Sequence, residues 1–227
     1  MRVEISPSLQ FTTLLPRIRN LFDLDAQPRQ IEARLGEDER LRPIVARQSG
    51  LRVPGAFDPF EMAVRAILGQ QVSVRAATTL AGRIAKAFGE PGESLHPNLN
   101  LSSITADRLA AANAANFTAL GLTRSRAECL VALSRAVAGG EVKLLPGVEV
   151  ESTIERLKQL PGIGDWTAHY IAMRALRWPD AFPYADLGLR KAMGETSPKR
   201  VLELAERWRP WRAYAVMHLW NSLGGTK

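Results

Sequence analysis

Apolar residues recur every three or four positions along most of this chain, the period of a helix buried on one face. Between Phe11 and Leu24 they fall at Leu14, Leu15, Ile18, Leu21 and Phe22. Pro28 to Leu35 predicts a short second helix. Gly36 to Phe57, with polar, proline and glycine punctuation, predicts a connection. Asp58-Pro59-Phe60-Glu61 has the signature of a helix start: Asp as cap, Pro in the first position, Glu in the third. That helix is expected to reach Gln70, followed by one from Ser73 to Phe88 and a loop from Gly89 to Leu101. Further helical patterns run Thr105–Ala112, Asn116–Leu120 and Thr123–Ala138, the last closed by Gly139-Gly140. Glu151–Gln159, Asp165–Leu176, Leu187–Met193, Pro198–Trp208 and Trp211–Leu223 complete the set. Only Met1–Ser6 alternates like a strand, with Val3 and Ile5 between Arg2 and Glu4. Without alternation of strands and helices a doubly wound sheet is excluded, and an all-α fold of about ten helices is expected.

One stretch interrupts the helical periodicity with glycine: Leu160-Pro161-Gly162-Ile163-Gly164-Asp165-Trp166-Thr167-Ala168. Gly162 and Gly164 permit positive φ and close approach of a phosphate backbone. The N–H groups from Gly164 to Thr167 fall at a helix start, where unpaired donors and the helix dipole favour an anion. The Thr167 hydroxyl adds a polar contact. The same residues also suit a plain turn between two helices, and Pro-Gly-x-Gly alone does not decide. Asp186, just before the Leu187–Lys191 pattern, is equally two-sided: a helix cap, or an ionised carboxylate available for chemistry.

Composition narrows the choice. Hydrophobic residues make up 46% of the 227 and charged ones 23%, without a long run of one sign, so the chain can bury a core and is not a disordered one. A formal net charge of +7 favours a polyanionic partner. Arg190, Lys191, Lys199 and Arg200, near the Asp186 pattern, are candidates for phosphate contacts. The single cysteine, Cys129, lies in an apolar helical pattern, which predicts a buried structural thiol and a reducing, cytoplasmic setting. His96, His169 and His218 lack metal-ligand spacing. No stretch approaches the ~20 apolar residues of a membrane span, and the first residues lack a signal-peptide pattern, so a soluble protein is expected.

Leu-Pro-Gly-Ile-Gly between two helical patterns resembles a helix-hairpin-helix. Other segments extend the likeness: Arg65-Ala66-Ile67-Leu68-Gly69-Gln70-Gln71-Val72-Ser73-Val74, the hairpin through Tyr170, and Asp186 to Ala192. Ala205-Glu206-Arg207-Trp208-Arg209-Pro210-Trp211-Arg212 and the tail to Trp220 belong to it too. Together these resemble the helix-hairpin-helix DNA glycosylase superfamily, and within it the bacterial 3-methyladenine DNA glycosylase II family, over nearly the whole chain from Leu9 onward. The resemblance implies two helical subdomains with the active-site cleft between them. Residues 1–57 would be a remnant N-terminal strand with helices completing one subdomain. Residues 58–185 would form the central subdomain, with the hairpin at 151–175. Residues 186–227 would be C-terminal helices packing with the N-terminal ones. Fuller members carry an N-terminal β-rich domain, of which only Met1–Ser6 could be the last strand, so a short-form or truncated chain is expected.

The resemblance also implies an activity. It is that of a monofunctional glycosylase of base excision repair, which flips an alkylated base out of damaged double-stranded DNA and hydrolyses its N-glycosidic bond. An abasic site remains. Asp186 would stabilise the oxocarbenium-like sugar and position or deprotonate the attacking water. Trp166 and Tyr170, four residues apart on one helical face, would line the base pocket with Trp220. Stacking on a cationic base is worth on the order of 0.5–2 kcal/mol. Bifunctional relatives carry a Schiff-base lysine near Trp166, so its place here implies no strand cleavage. Gln71, with Gln70 second, would fill the gap left by the flipped nucleotide. Gly162, Gly164 and Thr167 would hold the DNA backbone. Backbone carbonyls of Lys158, Leu160 and Gly162 would hold a monovalent cation, sodium or potassium, with no cofactor required. A monomer is expected. The competing readings are a non-catalytic helix-hairpin-helix DNA-binding module and a bifunctional glycosylase/lyase. The first would need neither Asp186 nor Trp166, Tyr170 and Trp220, and Trp166 disfavours the second.

Overall fold

The computed structural model describes residues 11–92, 100–145 and 147–224. The strand expected at Met1–Ser6, the middle of the Gly89–Leu101 loop and His96 lie outside the described residues. Among the described residues the architecture is helical: thirteen α-helices and one 3-10 turn, with an isolated bridge between Pro91 and Leu101. No helix among them is long and apolar enough to cross a membrane. Packing divides the chain into two units, Met1–Phe57 with Leu187–Lys227, and Asp58–Asp186.

The unit Asp58–Asp186 contains α4 (Pro59–Leu68), α5 (Val74–Phe88), α6 (Ala106–Ala110), α7 (Ala114–Thr118), α8 (Arg124–Ala138), α9 (Val150–Lys158) and α10 (Asp165–Arg174). The start read from Asp58 holds: its carboxylate accepts the Glu61 N–H at 2.8 Å. Ser73 and Thr123 cap α5 and α8 in the same way. α7 begins earlier than its apolar pattern, because Asn113 and Asn116 cap it reciprocally, at 2.9 and 3.2 Å. α8 packs against α4, α6 and α7, and α10 packs against α4 and α9. Ile67, Leu68, Ile84, Leu109, Phe117, Leu130 and Leu133 form the core.

The other unit contains α1 (Phe11–Leu21), α2 (Pro28–Leu35), α3 (Arg42–Arg47), α11 (Leu187–Met193), α12 (Pro198–Ala205), the 3-10 turn Glu206–Trp208 and α13 (Arg212–Gly224). α3 lies where a connection was expected. Pro43, which reads as punctuation, sits in its first turn, where a missing N–H removes no helical bond. Asp23 ends α1 in a left-handed conformation, φ 51°. Its buried carboxylate accepts the Tyr214 hydroxyl at 2.8 Å and the Val53 N–H at 3.1 Å, tying the end of α1 to α13. His218 is buried on α13, and burial lowers its pKa.

Candidate active site

The hairpin joins α9 to α10 through residues 159–164. Ile163 is its buried anchor, while Pro161, Gly162 and Gly164 are exposed. Gly162 adopts φ +81°, and a Cβ there would lie 3.1 Å from the Cβ of Cys129. Conformation and contact therefore both demand glycine. Cys129 is the buried floor of the turn, and burial pushes its thiol up to about 12, so it stays protonated and unreactive. Gly164 differs from expectation: φ is −94°, an ordinary value, and a Cβ there would meet no protein atom. Neither strain nor internal packing accounts for it, and its missing side chain leaves the outer surface of the turn open. Ala168 makes the first intrahelical bond, to the Gly164 carbonyl at 3.0 Å. The N–H groups of Asp165, Trp166 and Thr167 therefore lie at the start of the helix.

Two of the expected DNA-contacting side chains are engaged within the protein. The Thr167 side chain does not face outward; the residue is 3% exposed, and its hydroxyl bonds Gln70 Nε2 at 2.9 Å. Gln70 Nε2 also donates to the Gly162 carbonyl at 3.0 Å, and Arg126 donates to the Gln70 carbonyl. Gln70 is thus a strut between the end of α4 and the hairpin. Gln71, next along the chain, is exposed and left-handed, φ 53°. Nothing in the helical period signals the Gln70 contacts, because the period reports a buried face and not a partner.

α10 is apolar on two sides. Ala168, Ile171 and Ala172 are buried, while Trp166, His169 and Tyr170 form a half-buried face. The Trp166 and Tyr170 rings stack with centroids 5.2 Å apart and planes inclined by 13°. Arg174 donates to the Tyr170 hydroxyl at 3.1 Å. Trp166 Nε1 donates to Asp186 Oδ2 at 2.8 Å. Sequence reasoning brought these three residues together but treated Trp166 as a wall alone. The available signal was its N–H, which needs a partner wherever the ring is partly buried.

Asp186 is half-buried and ends an irregular segment that returns along α10. The Trp178 N–H bonds the Ala172 carbonyl at 3.0 Å, and the Phe182 N–H bonds His169 Nδ1 at 3.5 Å. Asp165, at the start of α10, pairs with Lys158 at 3.1 Å. Tyr184 first and Lys158 after it hold the Asp165 carboxyl below its usual range, against the opposing effect of burial. Desolvation first, then Asp165, pushes Tyr184 up to about 12. Bonds to Asp165 and Glu155 raise Lys158. In the other unit Trp220 is half-buried on α13. Arg190 bonds the Thr196 carbonyl and Arg200 pairs with Glu203, while Lys191 and Lys199 are exposed.

Comparison with known proteins agrees with this helical fold. Residues 1–58 match the AlkA N-terminal domain, and residues 64–209 match the HhH-GPD superfamily base excision DNA repair protein family. The chain belongs to the HhH-GPD superfamily. Within that superfamily it is 41% identical over 215 residues to a Mycobacterium tuberculosis protein described as a probable bifunctional transcriptional activator/DNA repair enzyme AlkA. That match covers 93% of this chain and 43% of the relative, so the chain spans less than half of that protein. It is 38% identical to DNA-3-methyladenine glycosylase 2 of Escherichia coli K12, over 92% of this chain and 72% of that one. Among solved structures it is similar to the 3-methyladenine DNA glycosylase from Archaeoglobus fulgidus, with TM-score 0.78 and 26% identity over 93% of this chain and 74% of that one. This HhH-GPD chain is therefore homologous to DNA glycosylases and shares their fold.

Proposed function

We propose that the chain is a monofunctional DNA glycosylase of base excision repair. It would hydrolyse the N-glycosidic bond of alkylated bases, 3-methyladenine and related lesions, in damaged double-stranded DNA after base flipping. The observation that carries this reading is the 2.8 Å bond that turns Asp186 Oδ2 toward Trp166, beside the stacked Trp166–Tyr170 pair. A phosphate-binding hairpin needs neither the pair nor the acid. A purine alkylated on the ring is cationic, and the paired rings offer it a face. Its departure as a neutral base carries the electrons of the C1′–N bond with it and leaves positive charge on the sugar. Asp186 stabilises that charge. Water then forms the C1′–O bond and gives its proton to the carboxylate. The indole N–H keeps Asp186 in one orientation while this happens.

Strand cleavage through a Schiff base needs an unprotonated amine. The amine nearest the hairpin, Lys158, is paired with Asp165 and Glu155, and both keep it protonated. The open surface at Gly164 and the start of α10 suit a DNA phosphate, and Gln71 is the exposed side chain for the gap left by the flipped base. The Leu160 and Gly162 carbonyls each accept one hydrogen bond and keep a second lone pair, so with Lys158 they fit a monovalent cation, through which no chemical step runs. Trp166, Tyr170 and Asp186 come from one chain, as a monomer requires. The buried Cys129 fits a cytoplasmic setting.

Incubation of methylated duplex DNA with the parent and with Asp186→Asn tests this reading. The parent releases 3-methyladenine, the variant at least about a hundredfold less, and strands break only after alkali. Equal release by both removes Asp186 from the mechanism. A complex trapped by borohydride removes the monofunctional assignment.

A further inference from the structure

Residues 69–73 join α4 to α5, and the chain passes there through a left-handed residue that is not glycine: Gln71, φ 53°. A side chain disfavours that conformation, which persists only where the surroundings hold it. Both ends of the turn are tied into helices. The Gly69 N–H bonds the Arg65 carbonyl at 2.9 Å, and the Gln70 N–H bonds the Ile67 carbonyl at 3.2 Å. The Ser73 hydroxyl accepts the Ala76 N–H at 3.2 Å. None of these bonds touches the Gln70 carbonyl, which belongs to the peptide leading into Gln71. Arg126, half-buried in the first turn of α8, donates its guanidinium to that carbonyl. The Gln70 side-chain amide bonds the Gly162 carbonyl at 3.0 Å and the Thr167 hydroxyl at 2.9 Å. Gln70 is therefore held at its side chain by the hairpin and at its carbonyl by α8.

We propose that Arg126 is a positioning residue for base flipping: its bond to the Gln70 carbonyl locks Gln71 in the left-handed conformation that presents its side chain to the gap in the DNA. This rests on the role assigned above to Gln71. A peptide unit is planar and turns as one body. A left-handed residue relaxes most directly by rotation of the peptide before it, which changes ψ of Gln70 and φ of Gln71 together and reverses the carbonyl. A charge-assisted bond to that carbonyl opposes the rotation. The Gln70 side chain cannot do the same, because anchoring it to the hairpin fixes where residue 70 lies and not how the following peptide is turned. The two attachments thus divide the work: Gln70 sets the distance of the turn from the hairpin, and Arg126 sets the direction in which Gln71 leaves it. Such preorganisation matters for a side chain that replaces an extruded base. If it were ordered only on the DNA, its lost freedom would add to the cost of unstacking.

The test uses the full chain and a strand with one adenine, methylated as a duplex. The strand is reannealed either to its full complement or to a complement with an abasic site opposite the methylated adenine. In the second duplex the base has no partner to lose, so filling the gap contributes less. Arg126→Ala is expected to slow single-turnover release of 3-methyladenine from the paired duplex about tenfold more than from the unpaired one. The salt dependence of its Kd should parallel the parent's, since no phosphate contact is removed. Backbone NMR shifts of Gln71 should leave the left-handed range in this variant. Arg126→Lys, which keeps a donor for the carbonyl, should recover part of the rate. Gln71→Ala should show the same discrimination between the duplexes, and the double variant no more than Gln71→Ala alone. Equal slowing on both duplexes, as general destabilisation would give, overturns the proposal. So do parent-like Gln71 shifts in Arg126→Ala, or a salt slope shallower by about one phosphate contact. A parent that releases no alkylated base overturns the functional reading and this proposal together. An active parent whose Gln71→Ala variant does not discriminate overturns the role of Gln71 and this proposal with it. A discriminating Gln71→Ala beside an Arg126→Ala that does not discriminate overturns this proposal alone.

Discussion

The indole N–H of Trp166 lies 2.8 Å from Asp186 Oδ2, while the face of the same ring stacks on Tyr170 at 5.2 Å. In the reaction proposed above, one side chain serves two ends: its edge orients Asp186 and its face meets the base. Edge and face can be separated by substitution, because phenylalanine supplies the second and not the first.

Trp166→Phe should slow single-turnover base release about tenfold to thirtyfold, the worth of one hydrogen bond to a charged group. Binding of methylated DNA should change by less than about threefold, since a ring still stacks on Tyr170. Trp166→Ala should lose rate and binding together. A Phe variant as fast as the parent would show that the indole N–H does not orient Asp186.

Gln70 offers a different kind of test, because it touches the hairpin and not the acid. Gln70→Ala removes the bonds to the Gly162 carbonyl and to Thr167, leaving the Thr167 hydroxyl buried without this partner. The expected cost is about 1–2 kcal/mol of stability, read by denaturant unfolding. DNA binding, read by fluorescence anisotropy, should weaken as the turn loosens. Gln70→Glu can still accept from Thr167 but cannot donate to Gly162, so it should fall between parent and Ala. Unchanged stability in Gln70→Ala would mean that the strut carries no load.

How much of this was legible in the sequence follows from the range over which each signal acts. The caps at Asp58, Ser73 and Thr123 are local, and they read correctly because the residue that caps lies beside the turn it caps. The hairpin Leu160–Gly164 was legible for the same reason, although Gly164 proved not to need a positive φ. α3 was missed because Pro43 means the same thing in a loop and in a first helical turn. The contact from Gln70 to Thr167 spans 97 positions, and the one from Trp166 to Asp186 spans 20. Periodicity says which face is buried and cannot say what lies against it. Asp186 ends an irregular segment with no period at all, and its tie to Trp166 appears only when that segment folds back on α10.

Gly162 is where two constraints coincide, so its replacement has a sign that does not depend on choosing between them. An alanine must adopt φ +81° and place a Cβ 3.1 Å from the Cys129 Cβ and 3.3 Å from its Sγ. Gly162→Ala should lower stability by about 1–3 kcal/mol. Adding Cys129→Ala removes the sulfur but keeps the Cβ, so it should relieve only part of the loss. Gly164→Ala is the contrast, with an ordinary φ and open space, and should leave unfolding unchanged while weakening DNA binding. Parent-like binding by Gly164→Ala would remove the open turn from the DNA-holding surface.

The pH dependence of stability can be tested away from the site, at Glu206. Its carboxylate meets Arg209 at 2.8 Å and the buried Arg212 at 3.1 Å. These guanidinium groups, Arg209 foremost, lower its pKa below the ordinary 4.5, against a smaller effect of burial. A carboxyl with a depressed folded pKa binds fewer protons folded than unfolded in this range. Its stabilisation is therefore complete above the ordinary value and disappears as pH falls through the lower folded one. Asp165 titrates with the same sign, so acid unfolding alone would not single out Glu206. The comparison that does is Tm from pH 7 to 3 for the parent and Glu206→Gln, in which the Asp165 contribution cancels. The parent should unfold at the higher temperature near neutrality, and the gap should close as the solution is acidified below the ordinary glutamate value. Exposure of Glu206 to solvent keeps the gap small, and added salt should reduce it further. A gap that persists unchanged to pH 3 would mean that the carboxylate acts through shape or hydrogen bonding that the amide reproduces poorly, and not through its charge on Arg209 and Arg212.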